Sequence, residues 1–295
     1  MLNALLDVIL PVLVVVAVGA AIGRFLKPDA NTVSKVTLYA LSPSLALYNL
    51  AHSQANLTSA LKIVLGYILF VLIMGRVTWL SSRDLPDETR RAMVAGVITG
   101  NNGNFGLPIA LFAFGKPGLE LSLVVFTISV FMTFVVTPSV LKDGSWRSKV
   151  HTVFALPLVW AALLGVTLNS LGIKIPVGLD RGIQLLAEAA VPMLLISLGL
   201  QIGSSGFPVP SRAMIRAVAL RLVLGPCVAL FVAWLVGATG LERGVLVLSS
   251  AMPTAINAFL VAQELKADAK LIGGIVILTT LLSIPVIALV VTLLR

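Results

Sequence analysis

Charge is what this sequence has least of. Of its 295 residues only 11% are charged and 58% are hydrophobic, whereas a soluble globular domain carries about 25% charged residues, so a water-soluble fold is excluded. The single cysteine, Cys227, rules out a disulfide framework and a thiolate metal site. The two histidines, His52 and His151, fall near the ends of apolar segments and read as interfacial rather than as proton carriers. No run of basic residues exists to hold a nucleic acid: the formal net charge of +9 is scattered over short loops, where it reads as topology determinants and anionic-lipid contacts. Met1 to Phe25 has neither a basic leader nor a small-residue cleavage site, so it is expected to be a retained span rather than a secretory signal.

What is there is apolar sequence in blocks of about 20 residues, each long enough for a hydrocarbon core of roughly 30 Å. Polar separators such as Lys27-Pro28-Asp29-Ala30-Asn31 and Ser81-Ser82-Arg83-Asp84-Leu85-Pro86-Asp87-Glu88 cut the chain into ten segments. They lie at roughly 4–26, 33–52, 58–81, 92–115, 118–141, 151–171, 180–203, 211–237, 241–265 and 268–294. The expected fold is an all-α membrane protein of ten transmembrane helices with both termini on one face. Fifteen of the 21 lysines and arginines collect on the face opposite the termini, which the positive-inside rule makes the inner one. The expectation is an integral protein of a bacterial inner (plasma) membrane with both termini outside.

The prolines inside these segments repeat. Pro157 follows Pro11 by 146 residues, Pro192 follows Pro43 by 149 and Pro285 follows Pro138 by 147. Three pairs at nearly one offset predict two homologous halves, a first five-helix repeat over 1–141 and a second over 151–294. Five is odd, so the second half enters the membrane from the opposite face and the repeat is inverted.

The fourth segment breaks its own helix. Gly100-Asn101-Asn102-Gly103-Asn104-Phe105-Gly106-Leu107-Pro108 packs three glycines, three asparagines and a proline into nine residues. A glycine costs a helix interior about 1 kcal/mol and a proline about 3 kcal/mol relative to alanine. The offset carries this break onto the ninth segment at Ala251-Met252-Pro253-Thr254, with Asn257 one turn later. Unwound backbone is tolerated at membrane depth only where it is buried in protein or lines a watery cavity, and paired breaks in inverted repeats point to a transporter's binding site. Each break exposes the N-terminus of a second half-helix, with free N–H donors and partial positive charge. The substrate-binding candidates are therefore Asn101, Asn102, Gly103, Asn104, Pro108, Pro253, Thr254 and Asn257, a set that favours a carboxylate. Gly103-x-x-Gly106 follows no strand, so a phosphate or dinucleotide loop is excluded. No cofactor motif occurs, and none of the signatures of an intramembrane enzyme does.

Several polar and charged groups inside the segments keep more than one reading. Glu188, about 12 Å into the seventh at 1.5 Å per residue, is either a proton acceptor or a side chain tilted to the outer interface. Gln263 and Glu264 close the ninth beside Lys266, Asp268 and Lys270; they form a solvated cluster or supply oxygen ligands for a coupling cation. Arg221 pairs with an anionic substrate or a half-helix C-terminus, or it snorkels with Arg212 and Arg216 to the inner interface. In the second segment Ser42, Ser44, Tyr48 and Asn49 line a path or re-satisfy the backbone freed by Pro43.

Asn101-x-Gly103-x-x-Gly106-Leu107-Pro108 resembles the Asn-x-Gly-x-x-Gly-x-Pro motif of the auxin efflux carrier family, which includes bacterial malate and malonate permeases. Pro192 to Gly199 resembles that family's seventh-span stretch, and Ala251-Met252-Pro253 with Phe259 to Glu264 its ninth-span crossover. The resemblance implies the fold of the bile-acid/sodium symporters, with a panel domain from spans 1, 2, 6 and 7 and a core from spans 3–5 and 8–10. It further implies organic-anion transport by elevator-like movement of the core, and a homodimer through the panel. Plant members carry a long loop between spans 5 and 6; Lys142 to Lys149 is all that fills it here, which makes auxin-like acids the lesser expectation. The competing expectation is a sodium- or proton-coupled cation antiporter, or a bile-acid-type sodium symporter, on the same scaffold.

Overall fold

A computed structural model describes residues 5–53, 57–142, 156–204 and 208–294. His151 and most of the connection after Lys142 lie outside the described residues. Every named element is helical. In chain order they are α1 Leu10–Phe25, α2 Ala30–Val36, α3 Ser42–Ala51, α4 Leu57–Ser81, α5 Asp87–Ile98, α6 Leu107–Phe131, α7 Thr137–Leu141, α8 Pro157–Ser170 and α9 Val177–Ser204. They continue as α10 Arg212–Ala219, α11 Gly225–Leu235, α12 Gly240–Ala251, α13 Ile256–Glu264 and α14 Ala269–Leu294.

Among the described residues six helical stretches are long and apolar enough to cross a membrane: Leu6–Phe25, Leu57–Ser81, Asn102–Leu141, Val177–Gly203, Arg212–Leu235 and Ala269–Leu294. The third is 40 residues long and folds at Gly115, whose φ of 68° and ψ of −163° lie outside helical space. A glycine reaches that conformation without the Cβ penalty, and Pro117 follows it.

Five prolines sit inside continuous helices by one device. A π-turn ends two residues before each: Leu5–Ile9 before Pro11, Thr37–Leu41 before Pro43, Asn102–Gly106 before Pro108, Met132–Val136 before Pro138 and Leu220–Leu224 before Pro226. Proline lacks an N–H and its ring collides with the carbonyl four residues back. In the wider turn the residue before the proline bonds one residue further back, as Ser42 N–H does to Thr37 O and Thr137 N–H to Met132 O. The ring is thereby accommodated without ending the helix.

α1 packs along α9, and α8 along α3. The α1–α9 contact is backbone on backbone: a Cβ on Gly19 would stand 2.5 Å from Ile196 O, and one on Gly203 would stand 2.5 Å from Ala20 O. Small residues allow such approach in lipid, where no hydrophobic drive brings helices together. One apolar core joins the start of α1 with α4, α5, α6 and α10 to α14; a second joins α3, α8 and α9 with the face of α6 that carries Leu119, Leu123 and Phe126. Large apolar side chains such as Val14, Trp160, Leu185 and Trp234 face outward.

The α4–α5 connection is clamped at the membrane face. Arg216 donates to both oxygens of Asp84, at 2.6 and 2.9 Å, and to Ser81 O at 2.8 Å. Arg91 and Arg90 donate to Asp87 at 2.7 and 2.8 Å. The guanidinium hydrogen bonds hold both carboxyls below the ordinary carboxylate value. A depressed folded-state pKa stabilises above the unfolded value, and that contribution disappears as pH falls through the folded one. Both pairs are exposed, so the effect is small. Detergent-solubilised protein should melt slightly lower as pH falls below about 4, and Asp84→Asn/Asp87→Asn should remove that part of the acid dependence in a thermal-shift series.

Candidate functional site

α5 stops at Ile98 because Thr99 and Asn101 leave helical space, with ψ of 95° and 62°. α12 stops at Ala251 because Met252 precedes a proline, which drives it to extended backbone at ψ 143°. The two breaks satisfy each other. Asn101 N–H donates to Pro253 O at 2.7 Å and Ala255 N–H donates to Thr99 O at 2.9 Å, so Gly100 and Thr254 form an antiparallel β-bridge inside an all-helical protein. Buried backbone groups must be paired, and here the partner of one broken helix is the other.

Side chains lock the crossing. Thr254 donates its hydroxyl to Gly96 O at 2.8 Å and its N–H to Thr279 Oγ1 at 3.0 Å. Thr99 and Thr137 share a hydroxyl hydrogen bond of 2.8 Å. Arg221, 0% exposed, donates from Nε to Met252 O at 2.9 Å and from Nη1 to Val97 O at 2.8 Å. One guanidinium thus ties the C-terminal ends of α5 and α12, which carry orphan carbonyls and partial negative charge. Of the three sequence readings of Arg221, the half-helix C-terminus is the one the structure adopts; snorkelling is excluded by its burial.

On the other side of the crossing the two new helices begin, and there a cavity of about 70 Å³ opens. The crossing contributes Asn101, Asn102, Asn104 and Asn257. The facing helices contribute hydroxyls and one amide: Ser34, Thr37 and Ser42; Ser129 and Thr133; Ser197 and Gln201. Ser34 and Ser197 hydrogen bond across the α2–α9 contact at 2.9 Å. Among the described residues no charged side chain lines this cavity. A second space of about 330 Å³ adjoins it, sharing Asn101, Gln201 and Ile256 and otherwise walled mainly by apolar groups including Leu198, Phe259 and Ile277.

The structure therefore brings together Asn101, Asn102, Gly103, Asn104 and Asn257. Asn102 also donates to Tyr67 Oη at 2.7 Å, which fixes its amide. Pro108, Pro253 and Thr254 are buried and shape the breaks without lining the cavity. Gly103 packs so close to the Phe126 ring that a Cβ would stand 2.5 Å from Cε2. Glu188 is exposed on α9, accepting from Gln184 at 2.8 Å, and Gln263 and Glu264 are exposed at the end of α13; none reaches the cavity. A buried carboxyl lies elsewhere: Glu120, beyond the Gly115 fold, accepts from Ser53 Oγ at 2.6 Å. The hydroxyls of α2, α6, its continuation and α9 were legible only as a spacing of three to four residues, which places Ser129 with Thr133 and Ser197 with Gln201 on one helix face.

Residues 145–291 match the model of a family described as membrane transport protein. An uncharacterized transporter of Methanocaldococcus jannaschii is 28% identical over 298 aligned positions, covering 96% of this chain and 97% of its own. A putative malonate transporter of Rhizobium meliloti is 25% identical over 236 positions, 74% of this chain and 71% of its own. Auxin efflux carrier component 1 of Arabidopsis thaliana is 27% identical over 147 positions, 48% of this chain and 23% of its own. The family match, the apolar helices and these relatives agree: the chain is similar to membrane transport proteins, auxin efflux carriers among them.

Proposed function

We propose that the protein is a secondary active transporter of small organic anions, carboxylates such as malate or malonate, bound where the fourth and ninth spans cross. The observation that carries this reading is the uncharged cavity of asparagine amides and hydroxyls at two half-helix N-termini. Such donors, with the positive ends of two helix dipoles, suit a carboxylate. In this reading the chain crosses the membrane ten times as two inverted five-helix repeats, 1–141 and 151–294. Support comes from the packing: first on seventh mirrors sixth on second, and third on fourth mirrors eighth on ninth. Spans 1, 2, 6 and 7 form the panel, and the core of spans 3–5 and 8–10 moves as an elevator. The setting is a bacterial inner membrane with both termini outside, in contact with lipid, as a homodimer through the panel and without nucleic acid. Glu188, Gln263 and Glu264 stand away from the cavity, so any coupling through them is indirect.

The cation-antiporter reading wants carboxylates beside the crossing, and among the described residues none lines the cavity. The test is solid-supported-membrane current from purified protein in liposomes. Jumps of malate, malonate, succinate, indole acetate and taurocholate are applied with and without sodium, between about pH 5.5 and 8. A saturable carboxylate current is expected. Silence to every anion, with current from sodium or proton jumps alone, would overturn the proposal.

A further inference from the structure

Arg221 has a charge that the fold does not spend. Its side chain is fully buried, and among the described residues its two hydrogen bonds go to the neutral carbonyls of Val97 and Met252 while its Nη2 has no partner. No ion pair involves it among the described residues. The one titratable side chain facing it among the described residues is Tyr67 of α4, and a phenol carries no charge near neutral pH. From α5, α12 and the crossing it meets backbone, and from α4 also the Phe70 ring, 5.9 Å from the guanidinium carbon. Arg212 and Arg216 sit on its own helix at the membrane face, where Arg216 is paired with Asp84.

Nη2 points at the cavity wall. It lies against Gly100, so close that a Cβ there would overlap it; the same Cβ would stand 3.2 Å from Asn102 Nδ2, and Asn102 Oδ1 is buried without a partner among the described residues. Gly100 and Asn102 both line the cavity. The unspent charge is therefore separated from the ligand space by one glycine backbone. A buried charge without a counter-ion is costly, and a negative group in the cavity is the counter-ion the architecture admits.

We propose that Arg221 is the countercharge of the transport site and limits it to one negative charge per ligand. It acts from behind the wall as a positioning residue and not as a contact. The ligand is then a monocarboxylate, or a dicarboxylate with one carboxyl protonated. The second, uncharged end of the molecule faces the apolar space beside Phe259 and Ile277. Because no titratable group among the described residues lines the cavity, the pH dependence of transport belongs to the ligand.

This rests on the anion-carrier reading, and the experiment separates the two. Initial uptake of labelled malonate and of labelled pyruvate is measured in proteoliposomes between about pH 5 and 7.5, where malonate loses its second proton and pyruvate does not change. The expected KM for total malonate rises by up to about tenfold per pH unit on the alkaline side, tracking the singly charged species, while that for pyruvate stays within about twofold. A malonate KM flat with pH, or both rising together as a protein group titrates, overturns the one-charge rule and leaves the carrier reading standing. No saturable uptake of either anion overturns both. Arg221→Gln keeps an amide donor for the Val97 and Met252 carbonyls without the charge. It should raise the pyruvate KM at least about tenfold, and Arg221→Lys should restore it to within a few-fold. A wild-type KM in Arg221→Gln would assign the arginine to structure alone. The wild-type pH series decides the matter even where that variant fails to fold.

Discussion

Alanine at Asn101 or at Asn257 is expected to weaken saturable anion transport by roughly 10- to 100-fold, and the pair together to leave no measurable current. Each side chain faces the cavity, and neither amide has a hydrogen-bond partner among the described residues. Their donors are free for a ligand. Removing a hydrogen bond to a charged group costs about 1.5–3 kcal/mol, which is that range of affinity. The crossing survives because Asn101 contributes to it through its main chain, by N–H to Pro253 O and by C=O from Gly106 N–H. Both variants should therefore extract, run as a single species and melt near the wild-type temperature while losing current. Full currents in both would remove the crossing as the binding site.

Gly199→Val is expected to do the reverse: no folded protein rather than no activity. A Cβ at this position would overlap Val16 O and stand 2.7 Å from Ala20 N. Those are backbone atoms, and neither can turn aside. α1 and α9 would have to separate along their length, at a cost of about 3 kcal/mol or more. Gly182→Val on the same helix is the control, since a Cβ there meets nothing within 4 Å. In fluorescence-detected size exclusion of detergent extracts, the monodisperse peak should vanish for Gly199→Val and persist for Gly182→Val. Equal behaviour of the two would show that the helices are not in backbone contact.

The helices were legible because lipid leaves so little freedom. The seventh segment, expected at 180–203, is the helix Val177–Ser204, and the third, expected at 58–81, is Leu57–Ser81. The breaks were legible because glycine, asparagine and proline concentrated in one apolar segment cannot sustain a continuous helix. How the breaks are satisfied was not, since an antiparallel bridge between residues about 150 positions apart leaves no local trace. Arg221 shows the same limit. Snorkelling and burial differ by the rotation of one helix, and packing against α4, α5 and α14 sets that rotation. Hydroxyls were ambiguous for a chemical reason. Thr37 and Thr133 donate to carbonyls four residues back, Val33 O and Ser129 O, even while they line the cavity. A serine or threonine in a membrane helix can thus satisfy itself and a path at once. Glu188 kept two readings because depth along a helix does not fix which side a residue takes; its side of α9 faces outward.

The mutual pairing of the breaks has a consequence for synthesis. Gly100 and Thr254 are about 150 residues apart, and at roughly 5–20 residues per second the ribosome needs on the order of 10–30 s to make the second after the first. Through that interval Asn101 N–H and Thr99 C=O are in the bilayer without their final partners, where each unpaired group costs several kcal/mol. The end of α5 cannot reach its final pairing when it leaves the insertion machinery. It waits, held by that machinery or by water, until Pro253 and Ala255 arrive, so the crossing closes only after the chain around Thr254 has been made.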